Sequence, residues 1–486
     1  MKHRWTYTLL LILAVCVVKL WLMPLSSSFW VDEMATAFVV RFGPAHESLG
    51  DVAPQAWRSL YYYLPLWASA LPGPIEVVYR LPSTLAMAGT LILTALLGNR
   101  LAGRGAGWLV VFLCLALPRL DYHAADAHPY ALGMCLASAA LLFLVRWLDA
   151  AHGLDAAAFI VCASLLWRVH LLFWPFYLLA GLYTAVRMLC RETPAKVGQV
   201  ALTWCVLLLS VLPLLQETLS LASEAPLHAF APPPTLFALF QGAELPFLIV
   251  VGAAACLAAL VGRWPSRSSP PVNAVVLAAG WLLIQPLAIY VYSVASGNSI
   301  FVDRYLSLNL PGVALTATLA IALWIPRNHW QPAAALIGIL ALAVSPRWSA
   351  TVGTHGDEHW RQAAQAVNEA VRGSPVPVLC PSPFGEATPP VWRSDYPLPG
   401  FLYAHLFVYP IQAAIRPLPF DNLIDSADDV AQNAISGARE FILYGTEHGV
   451  DSWSSRPAFR TFRAKQLGSF GKVKAIRYTA ADAPDQ

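Results

Sequence analysis

Runs of about 20 residues almost free of charge recur along the first 345 positions of this chain, and no other feature limits its fold so strongly. A helix rises about 1.5 Å per residue, so about 20 apolar residues cross a hydrocarbon core of about 30 Å. Such runs lie near 6–24, 81–99, 106–119, 129–147, 156–169, 171–189, 199–215, 245–262, 272–295, 305–325 and 331–346. They predict an α-helical polytopic membrane protein with about eleven transmembrane helices, three of which (106–119, 156–169 and 331–346) are short enough to be re-entrant or to need neighbours. Only 12% of the 486 residues are Asp, Glu, Lys or Arg, against about 25% in soluble domains, which excludes a single water-soluble globule and disorder alike.

The few charges are unevenly placed. Residues 346–486 hold 27 of them, roughly 19% of that segment against roughly 9% before it. This contrast predicts a membrane domain over 1–345 and a water-facing domain over 346–486. In the second, 360–371 and 428–437 read as helices and 376–379 and 441–444 as short buried strands, so an α/β domain is expected. A net charge of +3 without a basic cluster among surface aromatics argues against a nucleic-acid partner. Of the eight cysteines only Cys380 lies in the polar tail, and no CxxC occurs, so cysteine points to neither a redox centre nor a zinc site.

Placing Lys2 and Arg4 in the cytoplasm puts Arg100, Arg104, Arg146, Arg187, Arg191, Lys196, Arg263, Arg267 and Arg327 on the same side. The C-terminal domain is then extracytoplasmic. The first run reads as a signal anchor, because Pro24-Leu25-Ser26-Ser27-Ser28 offers no small-x-small cleavage site. Of 14 carboxylates in 1–345, Asp149, Asp155 and Glu192 face inward; the others (Asp32, Glu33, Glu47, Asp51, Glu76, Asp121, Asp126, Glu217, Glu224, Glu244 and Asp303) face outward. Any chemistry is expected on that outer side.

Several outer segments carry candidate residues. Adjacent carboxylates in Trp30-Val31-Asp32-Glu33 are costly near lipid unless solvated, paired or functional, and they would also suit the start of a surface helix. Tyr62 and Tyr63, in Leu60-Tyr61-Tyr62-Tyr63-Leu64, and Tyr79-Arg80 at the mouth of the second run fit an interfacial belt. Asp121, His123, Asp126 and His128, followed by Tyr130, carry donors that suit a divalent cation, although their spacing matches no specific metal motif, and they suit a polar catalytic pocket as well. His170 sits in a short outer turn, where a hydrogen-bonded structural role competes with a ligand role. In Phe301-Val302-Asp303-Arg304-Tyr305, Arg304 can fork onto a phosphate or snorkel beside Asp303.

Taken in order, these segments resemble the membrane-embedded GT-C glycosyltransferases, and most of all the superfamily of dolichyl-phosphate-mannose protein mannosyltransferases and aminoarabinose lipid A transferases. The resemblance rests on Asp32-Glu33 after the first helix, Leu60 to Leu64, Arg80-Leu81-Pro82-Ser83, Asp126-Ala127-His128-Pro129-Tyr130, Phe301 to Tyr305, and Asp357-Glu358-His359-Trp360-Arg361. Departures are Asp126 and His128, where the family usually has Glu and Arg, and the Leu60 segment, which lacks leading prolines. The resemblance implies transfer of a sugar from a polyprenyl-phosphate donor to a lipid, glycan or protein acceptor at the extracytoplasmic face of an inner membrane. It also implies Asp32 as general base assisted by Glu33; Arg304, Tyr305, Arg80 and His170 at the donor phosphate; and Asp126, His128, Tyr130, Tyr62 and Tyr63 lining the pocket. No cofactor is required by this reading, and a divalent cation at Asp121, His123, Asp126 and His128 is the one the residues leave open. The residues leave open a transporter or flippase of a lipid-linked substrate and a polysaccharide polymerase or ligase.

Overall fold

The computed structural model describes residues 2–43, 59–228, 231–264, 270–345, 355–373 and 376–480. Glu47, Asp51 and Arg267, and the stretch 346–354 that opens the expected outer domain, lie outside the described residues. The chain forms two compact units: one of Met1–Leu25, Ser59–Leu64 and Arg80–Gly353, the other of Ser26–Arg58, Pro65–Tyr79 and Thr354–Gln486.

The first unit is helical. Among the described residues eight helices are long and apolar enough to cross a membrane: Trp5–Ser26, Ile75–Ala102, Tyr130–Ala150, Leu171–Leu189, Val197–Ala222, Leu245–Gly262, Val272–Ser296 and Asp303–Trp324. The other three apolar runs fold as helices Ala106–Leu115, Gly153–Val169 and Trp330–Val344, of 10, 17 and 15 residues. At about 1.5 Å per residue the 10- and 15-residue helices are shorter than a hydrocarbon core and the 17-residue one is at the lower end of the spanning range, so among the described residues eight of the about eleven expected spans are long enough by themselves. Length and composition make the chain a polytopic membrane protein.

Polar groups inside this unit are used in pairs. Thr94 and Ser138, both fully buried, share a hydrogen bond of 3.1 Å between facing helices. Asp149 accepts from Arg100 and from Arg187, each at 2.7 Å, and Arg146 pairs with Asp155 at 3.0 Å. With Glu192 beside Arg187, every carboxylate expected on the inner side meets an arginine. Gly312 lets helix Leu310–Trp324 lie against Val272–Ser296, since a Cβ there would come within 2.8 Å of the Leu282 nitrogen and the Trp281 carbonyl carbon. The first helix, Lys2–Cys16, continues through a wider turn over Val17–Leu22, in which the Met23 N–H reaches back five residues to the Val18 carbonyl. This register turns Trp21 so that its indole N–H donates to Asp121 at 2.8 Å.

The second unit is built on a five-stranded sheet. Its order is β2 (Ile415–Leu418), β1 (Val378–Pro381), β3 (Glu440–Thr446), β5 (Val473–Ala480) and β4 (Phe462–Gln466). β1 runs parallel to β2 and β3, whereas β5 is antiparallel to β3 and β4. β1 is buried along its whole length, as a strand covered on both faces must be. Helix Trp360–Ala370 buries Trp360, Ala363, Ala364 and Val367, one stripe at helical spacing, and helix Ala427–Ile435 covers β2 and β3 with Ala427, Ala431 and Ile435. β1, β3 and these two helices match the strands and helices expected from the sequence, whereas β2, β4 and β5 are not among them.

His405 lies at the centre of this unit. It is fully buried, its Nε2 is 3.0 Å from the Cys380 sulfur, and its ring stands 4.7 Å from that of Trp360. Burial pushes its pKa down from 6.5 to about 3, so the fold holds a neutral imidazole. The unfolded chain gains the proton first as pH falls. The contribution is therefore intact above about 6.5 and is lost below it, at up to about 1.4 kcal/mol per pH unit. Thermal unfolding of the detergent-solubilised protein should show a lower midpoint at pH 5 than at pH 7.5. His405→Phe should flatten that dependence, and an equally steep dependence in the variant would contradict the assignment.

Candidate functional site

In the second unit the site begins with helix Val31–Phe42. Glu33 accepts from the Trp30 backbone N–H at 3.2 Å, and Glu358 accepts from the Val31 N–H at 3.2 Å and from the Trp360 indole at 2.7 Å. Two of the open N–H groups at the helix start are thus met by carboxylates, which the macrodipole favours. Asp32 stands at the second helical position, half-buried, while Glu33 is fully buried. Burial, and then the negative charge of Asp32, raise the pKa of Glu358 above its usual value. Glu33 also offers a carboxylate oxygen within 4.8 Å of a ring nitrogen of buried His355.

What holds this helix start in place is a network around Glu76. Arg361 pairs with Glu76 and donates to the Ser26 carbonyl at 3.1 Å, while Tyr409 donates to Glu76 at 2.9 Å and accepts from the Phe29 N–H at 2.8 Å. Ser28 accepts from the Arg361 N–H and donates to Gln362. Farther along, Phe38 packs edge-on against Phe401 and Phe407.

In the first unit, rings from four segments form a continuous chain. Tyr130 lies 4.9 Å from His123, 4.8 Å from His128 and 5.7 Å from His170; His170 lies 5.8 Å from Tyr305, and the Arg304 guanidinium stands 5.2 Å over the Tyr305 ring. His170 Nδ1 accepts from the Leu172 N–H at 3.2 Å, which places the proton of the neutral ring on Nε2. Burial above all, and then the charges of His128 and Arg304, push its pKa down to about 3. At neutral pH His170 is therefore an uncharged hydrogen-bond donor beside Arg304.

Other expected residues fall elsewhere in the fold. Arg80 is fully buried and donates Nη1 to the carbonyls of Pro24 and Leu25, so its fork fixes the end of the first helix. Tyr62 stacks edge-on against Tyr61, which reaches Ser83 at 3.1 Å, while Tyr63 is exposed. Of the four loop donors proposed for a cation, Asp121 takes the Trp21 indole and His123 pairs with Asp126 at 3.5 Å. Among the described residues no three of the four have ligand atoms within 4.8 Å of one another. Glu358, Glu76 and Tyr409 were missed by sequence reasoning. Only the proximity of Glu358 to Trp360 and Arg361 in the chain hinted at one of them.

Two solved structures resemble the chain end to end. One is ArnT from Cupriavidus metallidurans bound to undecaprenyl phosphate, 14% identical, covering 98% of this chain and 99% of that one with a TM-score of 0.57. The other is ArnT from the same organism in the apo state, at 15% identity, 99% coverage of both chains and a TM-score of 0.56. The chain has the ArnT fold. It is the GT-C architecture that the sequence motifs resembled. No family model matches the chain, and no curated protein sequence does.

Removing Arg361 leaves Glu76 buried without its cation. Because the arginine is about a third exposed, the cost should sit below that of a fully buried pair, at about 2 kcal/mol, with about 1 kcal/mol for Tyr409→Phe. Unfolding midpoints of Arg361→Ala, Glu76→Gln and the double variant would check this: the double variant should be less destabilised than the sum of the singles.

Proposed function

We propose that this chain is a membrane glycosyltransferase that moves a sugar from a polyprenyl-phosphate donor to the hydroxyl of a lipid, glycan or protein acceptor. The observation that carries the reading is the end-to-end likeness to ArnT, a protein whose solved structure holds undecaprenyl phosphate. A shared fold alone hosts many activities, so the residues must also suit the chemistry.

They do so as follows. The acceptor hydroxyl attacks the anomeric carbon as the bond from that carbon to the phosphate oxygen breaks. The hydroxyl proton passes to Asp32, the half-buried carboxylate at the start of its helix, and in-line attack inverts the centre. Glu33, engaged at the Trp30 N–H, keeps that helix start in shape. The departing phosphate gathers negative charge, which Arg304 meets with its guanidinium and His170 with the Nε2 proton of a neutral ring. Tyr305 carries Arg304 on its ring face, and Tyr130, His128 and Asp126 line the approach. The stable polyprenyl phosphate leaves in the membrane, and no step needs a metal. In this reading the N-terminus is cytoplasmic, residues 1–345 form a membrane domain and 346–486 an extracytoplasmic domain, and the enzyme resides in an inner membrane.

Purified protein supplied with a radiolabelled polyprenyl-phosphate sugar should release polyprenyl phosphate and label an acceptor. Asp32→Asn should lower turnover by about 10²- to 10⁴-fold at unchanged thermal stability; equal turnover would refute the base assignment. Movement of labelled lipid across liposomes without sugar transfer would favour a flippase. Arg304→Ala should weaken binding of undecaprenyl phosphate by roughly tenfold or more, and unchanged binding would refute its phosphate role.

A further inference from the structure

Arg304 and Tyr305 sit on a short tight helix, Asp303–Asn309, whose backbone is held from outside at three carbonyls. Gln285 donates to Tyr305 O at 2.7 Å and Trp281 to Leu308 O at 2.7 Å, both from the long helix Val272–Ser296. The third anchor is Arg119 from helix Pro118–Ala124, whose Nη2 donates to Asp303 O, immediately before Arg304. The other arm of that guanidinium, Nη1, donates to Glu244 Oε1 at 3.0 Å and to Gly242 O at 3.3 Å.

The corner that receives this second arm is shaped for close contact with the same segment. Glu244 has a left-handed backbone (φ 54), unusual for a residue with a side chain, at the start of helix Leu245–Gly262. A Cβ at Gly242 would come within 2.6 Å of the Leu306 side-chain tip and 3.0 Å of the Phe301 ring, so the glycine lets the corner lie close against the loop without displacing those side chains. Fully buried Asn309 closes the arrangement by donating to Gly242 O at 3.3 Å and to Leu282 O at 3.4 Å.

We propose that Arg119, neutralised and aimed by Glu244, is the positioning residue that sets where Arg304 presents its guanidinium to the donor phosphate. This rests on the phosphate role of Arg304 given above. Arg119 does not itself serve the phosphate: its two arms are spent on backbone carbonyls and on Glu244, and an arginine is required because a lysine's single ammonium cannot span Asp303, Gly242 and Glu244 together. Glu244 supplies the charge that keeps this guanidinium from pairing with the donor, and its left-handed turn places the carboxylate where that is possible.

The test is a double-mutant cycle on the full-length protein in detergent, read as the Kd for undecaprenyl phosphate and the KM for the polyprenyl-phosphate sugar. Arg119→Ala should weaken both by roughly tenfold with a smaller fall in kcat, and Arg119→Ala combined with Arg304→Ala should be no weaker than Arg304→Ala alone. Arg119→Lys and Glu244→Gln, milder changes that keep a cation or an acceptor, should give intermediate losses and guard against a misfolded alanine variant. Effects of Arg119 and Arg304 that simply multiply would overturn the proposal, as would unchanged Kd and KM in folded Arg119→Ala and Arg119→Lys. If Arg304→Ala alone leaves the Kd unmoved, the phosphate role falls first. If Arg304→Ala weakens binding and the Arg119 variants do not, only the positioning role falls.

Discussion

The ion pair between Arg361 and Glu76 is the constraint on which the second unit's functional end depends. Glu76 is a buried carboxylate, and burying one costs several kcal/mol unless it is fully engaged. Its partners are a guanidinium 285 residues later and a tyrosine hydroxyl 333 residues later. Through them the segment Ser26–Phe29 acquires defined backbone contacts, and the helix that follows acquires a fixed starting point for Asp32. A surface pair of the same kind would contribute little; here the geometry of a whole helix start follows from it.

The same economy of charge recurs in the helical unit. The carboxylates expected on the inner side, Asp149, Asp155 and Glu192, each meet an arginine among Arg100, Arg146 and Arg187. His170 illustrates the opposite device. It sits beside Arg304 yet carries no charge, because burial above all, with the neighbouring Arg304 guanidinium, outweighs its ordinary tendency to bind a proton. A neutral donor next to a guanidinium can grip an oxyanion without adding the desolvation cost of a second buried cation.

Much of the fold was legible in the sequence because hydropathy and charge density respond to the largest energetic terms. The eight long helices, the strand at Phe441 to Tyr444 and the amphipathic helix from Trp360 all follow from patterns of burial. Three apolar runs fold as shorter helices than the others because composition is blind to where a helix ends: His170 turns extended after Gly153–Val169, and a tight Leu117-Pro118 junction follows Ala106–Leu115. The site was legible only in part. Asp32 and Glu33 announce themselves as acids at a helix start, and the segment from Asp121 to Tyr130 stands out by composition, whereas the ring contacts that join Tyr130 to His170 and His170 to Tyr305 link distant parts of the chain and leave no local trace. Arg80 shows the limit most clearly, since an arginine at the mouth of a span looks the same in sequence whether its fork meets water, phosphate or, as here, two backbone carbonyls.

The wide turn at Val17–Leu22 has a consequence for how this protein can change over time. A helix with one residue too many in a turn is locally less stable than a regular one, so deleting a residue there would improve the helix taken by itself. It would also rotate everything beyond the deletion by about 100°. Trp21 would then leave Asp121, and the Pro24 and Leu25 carbonyls would leave Arg80. The locally better helix is therefore closed to the lineage unless two distant partners, Asp121 and Arg80, move together, and the length of this one turn becomes a property inherited by the site rather than by the helix.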